Sequence, residues 1–83
     1  MENMMKIKLK SINAEMTLTE GPQLRILAGG TTKSEGLPAL LELKRWSEYL
    51  VSTLGEEPLD LIKEDLNSVN SLLHAAINML MAP

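Results

Sequence analysis

The order of apolar and polar residues predicts an α+β fold: an N-terminal β-hairpin or small antiparallel sheet, then a two-helix antiparallel hairpin. Three features carry that expectation. Between residues 5 and 28 apolar and polar residues alternate, the period of a strand with one face buried. From Leu37 onward the apolar residues recur every three or four positions, the period of a helix. Between these stretches stand turn-forming compositions: Thr19 to Pro22, Gly29 to Gly36, and Gly55 to Pro58.

Within the strand region the alternation changes phase. Lys6, Lys8 and Lys10 take one side and Ile7 and Leu9 the other, whereas Ile12, Ala14, Met16 and Leu18 continue on even positions. A bulge or tight bend near Ser11 produces such a shift. Gln23 to Ala28 follow as a second strand, with Leu24, Ile26 and Ala28 on one face, closing a hairpin around Glu20 and Gly21. Two strands alone are marginal in water and need cover. Residues 29–36, polar and glycine-rich, read as a loop.

The first helix is predicted over residues 37–55. Pro38 suits its first turn, where the missing N–H has no partner to lose, and Gly55 suits its stop. Leu40, Leu43, Leu50, Val51 and Leu54 form its apolar stripe, with Trp46 at the edge, covering the sheet. The second helix is predicted over residues 58–82. Pro58 falls in its first turn, and Glu56 and Glu57 complement the positive end of its dipole. Leu59, Ile62, Leu66, Val69, Leu73, Ala76 and Leu80 make a heptad-like seam. The short connection makes the helices antiparallel. Residues 1–83 form one domain, β-rich over 1–28.

Composition narrows the function. A chain of 83 residues buries little surface, and its core supplies only ~3–5 kcal/mol of net stability. It has no cysteine for disulfides and a single histidine, too few ligands for a structural zinc. Oligomerisation or a partner is the remaining route to stability. The absence of cysteine fits a reducing cytoplasm. No signal peptide or membrane-spanning run is read in the sequence. Residues 1–34 sum to +2 and residues 35–83 to −5, so neither half has the basic balance of a nucleic-acid binder.

Residues 66–83 carry no charged side chain. Asn67, Asn70, His74 and Asn78 fall on one side of a helix there, opposite a wide apolar arc. Charge depletion of this kind marks interface cores, so this helix reads as one contacted on more than one side.

Other motifs read as structural. His74 has Ser71 one turn away but no local carboxylate to orient it, so a hydrogen-bonded structural histidine is expected. Gly29 to Ser34 lies between a strand and a helix, yet Thr32 and Leu27 stand where a P-loop needs glycine. Lys6, Lys8 and Lys10 read as edge protection. Glu56, Glu57, Asp60, Glu64 and Asp65 read as a solvated helix start.

The expected function is a small non-enzymatic interaction module: an adaptor, assembly factor or inhibitor. It would act through its C-terminal helix as a homo-oligomer, a dimer with a four-helix layer being favoured. Leu66, Val69, Asn70, Leu73, His74, Ile77 and Leu80 would form the interface, and a heterologous protein partner is the next expectation. The alternative is an oligomer that captures a small anion or nucleotide with Thr31, Thr32, Lys33 and Ser34. No catalytic residue, metal, cofactor, nucleic acid or membrane contact is expected, and the compartment is the cytoplasm.

Overall fold

A computed structural model describes residues 4–82. Four strands come first: β1 (Met4–Lys8), β2 (Glu15–Thr19), β3 (Gln23–Leu27) and β4 (Thr31–Glu35). They form an antiparallel meander in the order β1-β2-β3-β4. Two helices follow, α1 (Leu37–Ser52) and α2 (Leu59–Met81), giving the α+β architecture that the sequence predicts.

The phase shift near Ser11 is a full reversal of the chain rather than a bulge. β1 ends at Lys8, which pairs with Glu15, and the Leu9 N–H donates to the Ala14 carbonyl across the loop. Leu9 and Ala14 are both buried, which holds the loop against the core. Lys10 therefore leaves the strand and does not share the face of Lys6 and Lys8.

Residues 29–36 correct the expected loop. Only Ala28, Gly29 and Gly30 turn, with Gly29 at φ 78°, and Thr31 already pairs with Leu27. β4 has no apolar residue, so no hydrophobic alternation announces it. Its two threonines suit a strand, and as an edge strand it needs little burial. At its end Gly36, with φ 67°, redirects the chain into α1; its N–H donates to the Pro22 carbonyl and its carbonyl accepts from the Ala39 N–H. A Cβ at Gly36 would meet nothing within 4 Å, so any cost of a side chain there is backbone strain alone. Gly36→Ala is expected to lose about 1–2 kcal/mol, read as a lower urea midpoint at unchanged slope.

Both inner helix boundaries differ from the sequence reading. α1 stops three residues before Gly55 because Ser52 Oγ and Thr53 Oγ1 donate to the Tyr49 and Leu50 carbonyls, closing the last turn. Pro58 is extended (φ −88°, ψ 118°) and caps α2 rather than opening its first turn.

One face of the sheet carries Ile7, Met16, Leu18, Leu24 and Ile26 and is covered by both helices. α1 lies against β4, α2 against β1, and the helices against each other. α2 turns its seam differently from the sequence reading. Ile62, Val69 and Ala76 are buried as expected, but the alternate positions are Asp65 and Leu72, not Leu66 and Leu73. One broad apolar arc has to serve two neighbours, and the side toward the sheet lies one residue earlier than the heptad suggests.

Candidate interaction surfaces

Much of the expected interface on α2 is used by the chain itself. Val69 is fully buried in the core and is no part of any surface. Leu66 and Leu73 are half-buried and pack against the same core. Ser47 Oγ donates to Asn70 Oδ1 at 3.0 Å, which places α1 along that flank of α2. The sheet beneath and α1 alongside thus account for half of the charge-free helix.

What stays outside is a smaller surface. Asn67, Ser71, His74 and Asn78 are exposed, Ile77 is half-buried, and Leu80 and Met81 are 43% and 78% exposed. Ser71 Oγ donates to the Asn67 carbonyl, and His74 has no hydrogen bond among the described residues, so the expected structural histidine bond is not made. Ser47 opposite Asn70 sets the antiparallel register. Stepping ten residues back along α1 and ten forward along α2 reaches Leu37 and Leu80, each ~15 Å away. The first turn of α1 therefore lies beside the last turn of α2. Leu37 and Leu41 are 61% and 54% exposed there, and with Leu80 and Met81 they form one apolar end on the helical layer.

No protein-family model, curated protein or solved structure matches the chain.

A second surface was not read from the sequence. Ile12, Glu42, Arg45, Trp46 and Tyr49 line an open groove of about 490 Å³. Trp46 packs partly against the core, as expected for a residue covering the sheet, and meets Tyr49 edge-to-face at 6.2 Å and 80°. Tyr49 is 53% exposed. Both aromatics of the chain thus meet in one groove, and their three-residue spacing on a helix was the available sign.

Thr31, Thr32, Lys33 and Ser34 do not form one cradle. β4 sends Thr31 and Lys33 to the open face of the sheet and Thr32 and Ser34 to the side under the helices. Ser34 Oγ is buried there with no hydrogen-bond partner among the described residues. On the open face Lys6 reaches Glu15 at 2.8 Å. That bond holds the Glu15 carboxyl below its ordinary range, against a smaller opposing effect of burial.

The acidic cluster splits. Lys10 Nζ reaches Glu64 at 3.1 Å on the surface, but Asp65 is buried instead of solvated. Its carboxylate accepts from the Lys10 and Ser11 N–H groups, both at 2.7 Å, and from Ser11 Oγ. This ties α2 to the β1–β2 loop. Among the described residues no group of three acids or histidines could hold a metal ion, and no helix is long and apolar enough to cross a membrane. The described residues present an apolar helical end, an aromatic groove and a polar sheet face.

Proposed function

We propose that the chain is a small non-catalytic interaction module of the cytoplasm that pairs with a second copy through the outer face of its helical layer. The carrying observation is that Leu37, Leu41, Leu80 and Met81 are exposed at one end of the helical layer, on helices whose outer side carries the exposed, uncharged Asn67, Ser71, His74 and Asn78. An isologous contact sets a patch against itself, and an uncharged patch does so without repulsion. The charges of α2 all lie within its first seven residues, and the 16 residues that follow, ~24 Å of helix, are uncharged.

Native mass by light scattering after size exclusion, over a dilution series, tests this. The parent chain should run as a dimer that dissociates on dilution. Leu41→Asp with Leu80→Asp should run as a monomer of unchanged far-ultraviolet circular dichroism, since both side chains are already exposed. A parent chain that stays monomeric at the highest concentration refutes the proposal. The Trp46–Tyr49 groove supports a second reading, a heterologous protein partner, because Trp, Tyr and Arg are the residue types enriched at binding hot spots.

A further inference from the structure

The register of the sheet sets cations beside one another on its open face. Lys6 pairs with Thr17, Thr17 with Arg25, and Arg25 with Lys33, so one row across all four strands reads Lys–Thr–Arg–Lys. Lys8 lies on the same face in the next row. Lys6 has Glu15, but Arg25, Lys33 and Lys8 have no ion pair among the described residues. Arg25 and Lys33 are directly opposite, an arrangement that destabilises an antiparallel sheet. Thr17, Thr19, Gln23 and Glu35 join this pair around a concavity of about 520 Å³. A like-charged pair with no contact ion pair of its own, Glu15 reaching Arg25 only at longer range, breaks a local rule of sheet building, and such breaks concentrate at functional sites.

We infer that this open sheet face is a docking site for a carboxylate-rich segment of a protein partner. Charge complementarity selects the anion: the four cations Lys6, Lys8, Arg25 and Lys33 outnumber the carboxylates Glu15 and Glu35 on a face of an otherwise acidic molecule. The guanidinium of Arg25 can take a carboxylate through two parallel hydrogen bonds, with Lys33 beside it as a second charge. Two features disfavour nucleic acid. The face has no aromatic side chain on which a base could stack. The cationic row also lies between a row holding Glu15 and a row holding Glu35. A phosphate backbone carries charge at every step and would meet them, whereas a peptide can place an uncharged residue there. This surface lies on the side of the sheet away from the helices and is independent of the proposed dimer.

The test uses the full chain and a fluorescein-labelled Glu-Gly repeat peptide of ~12 residues, long enough when extended to cross the sheet. Fluorescence anisotropy is read at ~20 mM salt, where screening is weak, and again near 150 mM. A labelled oligothymidylate of equal length is the second probe. The peptide should bind saturably, more weakly at the higher salt. Arg25→Thr with Lys33→Thr should weaken it at least ~10-fold while raising Tm by ~2–5 °C, because the same change relieves the like-charged pair. Lys44→Thr with Lys63→Thr, exposed lysines of the two helices, should leave affinity within ~2-fold. A gain in stability with a loss of binding separates this result from unfolding. Four outcomes overturn the inference: no peptide binding at low salt, equal loss in the Lys44, Lys63 variant, tighter binding of the oligonucleotide, or a Tm that falls in the Arg25, Lys33 variant.

Discussion

Asp65→Ala is expected to cost about 3–5 kcal/mol, a large part of the stability available to a chain of this size. The side chain is 1% exposed and accepts three hydrogen bonds from Lys10 and Ser11. Alanine would leave two backbone N–H groups without their acceptor, each worth about 1–3 kcal/mol if no water replaces it. It would also free the loop that seats Leu9 and Ala14 in the core. Asp65→Asn keeps the shape but turns one acceptor into a donor facing an N–H, and should cost about 2 kcal/mol. Ser11→Ala removes a single bond to the carboxylate and should cost about 1.5 kcal/mol. Urea unfolding of the three variants gives the order directly. An alanine variant within about 1 kcal/mol of the parent would show that the loop holds without the carboxylate.

Asp65 also shows what could be read from the chain and what could not. It stands three residues after Ile62 and four before Val69, a core position by spacing, so an acid there was the sign of a buried carboxylate. Four other acids around it made the solvated reading simpler. β4 was hidden for a different reason. Strands are recognised by alternating apolar residues, and Thr31 to Glu35 has none. The cationic row was invisible until the register was known, since Arg25 meets Lys33 only because the β3–β4 turn has three residues. The two-helix hairpin was legible because its periodicity is long and its connection short. The charge-free stretch of α2 was legible too, but periodicity describes one arc and not how two neighbours divide it.

That division is open to a direct experiment on adjacent leucines. Leu72→Ala should cost about 3–4 kcal/mol, because the side chain is fully buried between α2 and the sheet and its loss leaves a cavity. Leu73→Ala should cost about 1–2 kcal/mol, because Leu73 is half-buried and the site can collapse or admit water. The heptad seam read from sequence makes Leu73 the core residue and reverses this order. Val69 and Ala76 belong to both seams and cannot decide between them. Urea midpoints at equal slope separate the alternatives, since the expected difference exceeds the error of such measurements. The order carries weight beyond stability. If Leu73 proved the costlier loss, α2 would be rotated by only ~40°, since Ile62, Val69 and Ala76 stay buried in both seams. Leu80 lies on the same flank as Leu73, so it too would turn inward, and the apolar end through which we propose that two copies meet would lose its α2 half. Leu72 as the costlier loss keeps Leu80 and Met81 on the outside, beside Leu37 and Leu41, where a second copy can reach them.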